Sequence, residues 1–168
     1  MTDSLEKRTT SELAKTGEER IAWIRSRMAM LARKRKEFDE TKPFTGHAIG
    51  MSLHLEPKTA VLLETLAAGG AKIVATGNHG STQDDMVAAL RKQGMTVYGS
   101  RADSLEQHHR NLAAVLDANP DILLDNGADL AAGSRHEAPP IPLSAAPKKP
   151  LPAASAFVTS CSTVCPSR

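Results

Sequence analysis

The chain reads as an α/β protein: a parallel sheet of about four strands with helices on its faces, an N-terminal helix before it and a disordered tail after it. Three observations carry this. Residues 1–45 are charged and place apolar residues at helical spacing. Residues 46–132 alternate short β-type runs with helical stretches, the pattern of a parallel sheet with helical cover. Residues 133–168 hold seven of the ten prolines, Pro139, Pro140, Pro142, Pro147, Pro150, Pro152 and Pro166. The gaps between them are filled mainly by small residues, so the segment buries too little apolar surface to offset its ordering entropy.

In the first region, Ile21, Ile24, Met28, Leu31 and Phe38 recur at roughly helical spacing. The polar face carries the basic run Arg33, Lys34, Arg35 and Lys36. Glu37, Asp39 and Glu40 follow at once and cancel most of its field, so a solvated helix face is expected rather than a nucleic-acid patch.

The middle region is read element by element. His47 to Leu55 is a candidate strand. Pro57 suits the first turn of a helix, where no amide bond is lost, and Gly69-Gly70 end that helix after about Ala68. Ile73 to Thr76 is a second strand. Ser81 with Asp84 three residues on reads as a variant capping box for the next helix, whose apolar face is Met86, Val87 and Leu90 and whose stop is Gly94. Met95 to Tyr98 is a third strand, Ser104 to Ala118 a third helix, and Asp121 to Leu124 a fourth strand.

Composition excludes some classes of function. Aromatics are 3% of the chain, so aliphatic side chains must fill the core. A formal net charge of +2 argues neither for nor against any particular partner, and neither a nucleic-acid nor a membrane partner is expected. No apolar run reaches the ~18–20 residues a membrane span needs. The polar N-terminus resembles no secretory signal, and the default compartment is the cytoplasm. Cys161 and Cys165, spaced C-x-x-x-C, match no usual metal or redox pattern. Adjacent His108 and His109 would point ~100° apart on a helix and cannot easily share one ion.

In open parallel sheets ligands bind beyond the carboxyl ends of the strands, and the polar residues gather there. His54 and Glu56 follow the first strand; Asn78, His79, Ser81, Thr82, Gln83 and Asp84 follow the second; Asp125, Asn126 and Asp129 follow the fourth. Each also has a structural reading. His54 could be a satisfied histidine at a strand end, Ser81, Thr82 and Asp84 could cap a helix, and Asp125-Asn126-Gly127 could be a turn. Gly77-Asn78-His79-Gly80 follows a strand and opens a helix, yet it is not G-x-G-x-x-G and no P-loop lysine follows.

Three ordered segments resemble one family. "PFTGHAIGMSLHLEPKTAVLLETL", Pro43 to Leu66, resembles the first β-α unit of adenosylhomocysteinases. "GNHGSTQDD", Gly77 to Asp85, resembles their N-x-x-S-T-Q-D motif, and "ILLDNGADL", Ile122 to Leu130, resembles D-D-G-x-D-L. "ERIAWIRSRMAMLARKRKEF", from Glu19, is similar to their leading helices, and the match runs to about Ala132. The resemblance implies reversible cleavage of S-adenosylhomocysteine to adenosine and homocysteine in the intact family. There NAD oxidises the ribose 3′-hydroxyl, and the ketone acidifies the C4′ proton before thiol elimination.

Carried over by motif, His54 and Asn126 take the catalytic positions: His54 as the histidine near the thioether, Asn126 where the family has the second Asp of D-D-G. Glu56 stands where many members have Thr and marks a branch that prefers another purine, such as the inosyl analogue. Asn78, Ser81, Thr82 and Gln83 shape the substrate pocket. Asn cannot take a proton as a carboxylate can, which puts base chemistry at Asn126 in question.

Family chains run to several hundred residues, with a dinucleotide domain after the third motif. Here proline-rich sequence begins at Gly133, an abrupt change such as a frameshift or premature end would produce. The expectation is a truncated substrate-domain portion that carries no NAD of its own, takes a nucleoside-type small molecule, and is inactive alone. Homo- or hetero-oligomers are possible. The alternatives are a small nucleoside-binding or regulatory module pairing with a full-length paralogue, or a non-functional gene fragment.

Overall fold

The computed structural model describes residues 9–137, with side chains described to Gly133. Six helices and four strands follow in the order α1 (Thr10–Arg25), α2 (Ala29–Thr41), β1 (Ala48–Leu53), α3 (Pro57–Ala68), β2 (Lys72–Gly77), α4 (Asp84–Lys92), β3 (Thr96–Tyr98), α5 (Leu105–Asp117), β4 (Ile122–Asp125) and α6 (Asp129–Glu137). All strand pairings are parallel, in the order β3-β2-β1-β4.

Helix ends obey local chemistry. Thr9 and Glu12 close a reciprocal capping box at the start of α1. Pro57 occupies the first turn of α3, and the chain leaves that helix through Gly70 at φ +88°, a conformation that costs glycine little. Ser104 accepts the Gln107 amide at the start of α5.

Strand alternation sorts the core into two layers. Ile49, Met51, Ile73 and Ala75 pack with Val61, Leu63, Met86 and Leu90 of α3 and α4. Val74 points the other way and packs with Leu112, Val115 and Leu130 of α5 and α6. Ile21 of α1 is fully buried in the first cluster, so the N-terminal helices share the sheet's core.

Four expectations need correction. The single N-terminal helix is two, broken at Ser26–Met28, where Met28 leaves helical geometry at φ −106°, ψ 64°. A continuous helix over this stretch would be ~48 Å long at 1.5 Å per residue. Breaking it lets Ile21 and Ile24 on one half and Leu31 and Phe38 on the other all reach the same core. Ser81 is not an N-cap: that position belongs to Gln83, and Ser81 sits in a turn bonded back to the Asn78 carbonyl. Asp84 accepts the Arg101 amide instead of closing a box. The segment after β4 is not only a turn but the start of α6, and residues 133–137, expected to be disordered, complete that helix. The rest of the expected tail, with Cys161 and Cys165, lies outside the described residues.

Candidate functional site

The strand order places β1 between β2 and β4. Connections from β1 run outward through β2 to β3, while β4 lies on the other side, so the chain reverses direction between β1 and β4. Open sheets form a crevice at such a reversal, beyond the carboxyl ends of the strands. Register sets Ser52 level with Thr76 of β2 and with Asp125 of β4. The residues that follow these three therefore emerge at nearly one height.

Asn78 and Asn126 meet across the end of β1. The Asn78 Nδ2 donates to Asn126 Oδ1 at 2.9 Å, and the Asn78 Oδ1 accepts the Ser52 hydroxyl at 3.5 Å. Ser52 is completely buried, and Asn126 is exposed. The chain of groups thus runs from the core to the surface. Sequence reasoning missed Ser52, although a serine inside the otherwise apolar strand AIGMSL was the available signal.

The loop after β2 is organised by one carbonyl. Asn78 O accepts the Ser81 amide at 3.1 Å, the Ser81 hydroxyl at 3.0 Å and the Thr82 hydroxyl at 3.4 Å. Thr82 is buried against Gly77, where a Cβ would lie 2.1 Å from its Oγ1. The Gln83 amide donates to Leu55 O at 3.2 Å, which ties this loop to the end of β1 beside Glu56. The Gln83 Oε1 is enclosed and accepts no hydrogen bond.

His54 and Glu56 stand on the turn between β1 and α3. The His54 carbonyl takes the Thr59 hydroxyl at 2.7 Å, which fixes the turn and leaves the imidazole exposed. Glu56 is the half-buried N-cap residue of α3, in extended backbone, with its carboxylate unused as a cap. No hydrogen bond among the described residues joins either side chain to the asparagine pair.

Asp125 is spoken for. Its Oδ1 accepts the Gly127 amide at 3.0 Å, and its Oδ2 accepts the Leu130 and Ala131 amides at 2.8 and 3.3 Å. This carboxylate caps α6, a structural task at its positive end. Beside the loop lies a row of imidazoles: His79 and His108 have ring centroids 6.0 Å apart, His108 and His109 6.2 Å. Burial, the largest influence, lowers the pKa of His108 from 6.5, and Asp129 pulls it back up. Among the described residues no group of three or more histidines, cysteines or carboxylates is arranged to hold a metal ion.

A hollow of about 560 Å³ lies at the opposite edge of the sheet, lined by Arg35, Lys36, Asp39, Glu64 and Gln93 among others. Its deepest polar group, Glu64, is already bonded by Arg25, Arg35 and Gln93, which leaves that carboxylate little to offer a ligand.

The match to known proteins agrees with this geometry. The family model for S-adenosyl-L-homocysteine hydrolase covers residues 8–144. The chain belongs to that family. The match extends past Gly133, where the resemblance was expected to stop. The chain is 53% identical over 119 residues to an S-inosyl-L-homocysteine hydrolase of Methanococcus maripaludis, covering 70% of this chain and 29% of the relative. It is 49% identical over 119 residues to an adenosylhomocysteinase of Pyrococcus abyssi, covering 70% and 28%. It is 45% identical over 123 residues to an adenosylhomocysteinase of Thermotoga maritima, covering 73% and 30%. The chain therefore spans under a third of the length of these curated relatives.

The family as a whole is NAD-dependent, and three amides of the glycine-bearing turn after β2 are already engaged within the protein. A pyrophosphate turn keeps its backbone amides open toward the ligand. Here the amides of Asn78, Ser81 and Gln83 go to Leu53, Asn78 and Leu55 carbonyls, and Thr82 fills the space above Gly77. No described helix is long and apolar enough to cross a membrane.

Proposed function

We propose that this chain forms the nucleoside side of a homocysteine-thioether hydrolase site and binds an S-adenosyl- or S-inosyl-homocysteine-type molecule at the carboxyl ends of β1, β2 and β4. The observation that carries the reading is the Asn78–Asn126 bridge over the end of β1, at the sheet's reversal point, flanked by His54, Glu56 and Gln83. Amides both donate and accept, so the pair suits the hydroxyls of a ribose or the edge of a purine.

Roles divide by chemistry. His54 is exposed beside the crevice and is the group able to hold or move a proton at the thioether sulfur. Asn126 orients and cannot act as a base, and the Asp125 carboxylate is committed to α6. The described residues thus supply binding groups and two ionisable side chains at the crevice, His54 and Glu56. An open site of this kind binds weakly.

The test is amide-shift mapping by NMR with adenosine, inosine and S-adenosylhomocysteine. Shifts should cluster at residues 52–56, 77–83 and 125–127, with affinity on the order of millimolar, worth roughly 4 kcal/mol. An open half-site leaves most of a ligand in water, whereas full pockets bury ~70–90% of it. Shifts confined to the basic run Arg33–Lys36, or submicromolar binding, would overturn the half-site reading. Comparing the two nucleosides assigns the purine.

A further inference from the structure

Two facing asparagines can bond in either of two senses, because one end of each side-chain amide accepts and the other donates. The bond between Asn78 and Asn126 therefore needs a third group to choose its sense. Ser52 stands behind the pair, next to last in β1, with its side chain completely buried. Its hydroxyl makes one hydrogen bond, donated to Asn78 Oδ1 at 3.5 Å. Its carbonyl accepts the Asn126 backbone amide at 3.4 Å, and the Leu53 carbonyl accepts that of Asn78 at 3.1 Å. The two asparagine backbones are thus held at the end of β1 whichever way their side-chain amides point.

The observed sense follows from the buried hydroxyl. With Asn78 Oδ1 turned to Ser52, its Nδ2 is left to face Asn126 and donates to Oδ1 there at 2.9 Å. In the opposite sense Asn78 would turn its Nδ2 to Ser52, and the buried hydroxyl proton would lose its one acceptor, which is costly. Asn126 must therefore accept through Oδ1, and its own Nδ2 points away from the pair. Among the described residues that amine donates to nothing, and Asn126 is exposed.

We infer that Ser52 is a positioning residue for the crevice: it fixes the sense of the Asn78–Asn126 bond, so that the Asn126 amine is the group offered to a ligand. The ligand atom that meets it is then an acceptor, the lone pair of a hydroxyl, a carbonyl or a ring nitrogen. This rests on the nucleoside site proposed above, yet the sense of the bond is measurable with no ligand present. Two changes separate it from general support of the loop. Ser52→Ala removes the donor and frees the pair to take both senses. Asn126→Asp supplies a carboxylate, which only accepts, so Asn78 Nδ2 must face it whatever stands at position 52. Ser52→Ala should therefore matter beside the native Asn126 and cease to matter beside Asn126→Asp.

The experiment uses the full chain and follows the side-chain NH2 signals of Asn78 and Asn126 by NMR, reading their hydrogen exchange with water. Ser52→Ala takes one atom from the core and Asn126→Asp alters an exposed side chain, so both variants and their combination should fold, which circular dichroism checks. In the native chain the Asn78 amine should exchange more slowly than that of Asn126. Ser52→Ala leaves the Asn78 amine unbonded about half the time, so its exchange should rise at least ~3-fold. Added to Asn126→Asp, the same change should leave it unaltered. An inosine titration gives a second reading: Ser52→Ala leaves about half the molecules with the donor in place and should weaken binding about 2-fold, again with no effect beside Asn126→Asp. If inosine binds no variant, the nucleoside reading fails, while the exchange rates still decide the role of Ser52. Equal loosening of Asn78 by Ser52→Ala in both backgrounds would overturn the inference, and so would no loosening in either.

Discussion

Glu64 lets the energetics of this fold be tested at one point. Its carboxylate is 3% exposed and accepts five hydrogen bonds: from Arg25 Nε at 3.0 Å, Arg25 Nη2 at 2.7 and 2.6 Å, Arg35 Nη1 at 3.1 Å and Gln93 Nε2 at 3.0 Å. These donors come from α1, α2 and the end of α4, so one carboxylate on α3 ties together four helices. The arginine side chains remain 38% and 40% exposed. Burial is therefore lopsided, and removing either partner should cost differently. Arg25→Met strips three of the five bonds and leaves a buried carboxylate underpaired, at a cost of about 2–4 kcal/mol. Glu64→Met leaves arginines that can turn to water and fills most of the volume, so its cost is about 1 kcal/mol or less. The double variant should be more stable than Arg25→Met alone, because the stranded charge is gone. Urea unfolding followed by circular dichroism measures this, and near 130 residues 1 kcal/mol is worth roughly 3–5 °C in Tm. If Glu64→Met loses as much as Arg25→Met, or the double variant shows no recovery, the lopsided-burial reasoning is wrong.

Other expectations follow from single contacts. Asp125→Ala removes the acceptor for three amides at the start of α6 and should cost about 1–3 kcal/mol, with hydrogen exchange accelerated in α6 ahead of the rest. Gly17→Ala would bring a Cβ to 2.1 Å from the Asp85 carbonyl, forcing α1 off α4 at a cost of about 1–3 kcal/mol in the same unfolding assay. Asn126→Asp keeps an acceptor for Asn78, so Tm should move little, and an assay for released homocysteine should stay blank. Burial lowers the His108 pKa below 6.5, so the unfolded chain takes up this proton first as pH falls. Its contribution is then intact above roughly pH 6.5 and is lost below it. His108→Gln should flatten the fall in stability between about pH 7.5 and 5.5, and an unchanged slope would show that His108 is not its source.

Much of the candidate site was legible because it obeys a topological rule. Strands alternating with helices imply a parallel sheet, and polar residues just past strand ends imply a ligand edge, with no knowledge of contacts. Pro57, Gly70, Gly94 and Ser104 marked helix ends through backbone chemistry that acts over a few residues. The errors fell where partners come from afar. Ser81 and Asp84 have the spacing of a capping box, yet their partners are Asn78 O and the Arg101 amide, and Gln83 takes the cap. The break between α1 and α2 has no glycine or proline to announce it, because it answers to the width of the core.

Sequence alone therefore determined the fold class, the order of elements from residue 46 to the end of β4, and which polar residues share the sheet's carboxyl edge. Those features depend on the side-chain period and on local caps. Tertiary structure decided which of them touch. It joined Asn78 to Asn126 over β1, drew the buried Ser52 into that chain, committed Asp125 to α6 and left His54 open to solvent. A hydrogen bond needs two groups within ~3 Å, and for residues 48 apart in the chain only strand order and register can set that distance.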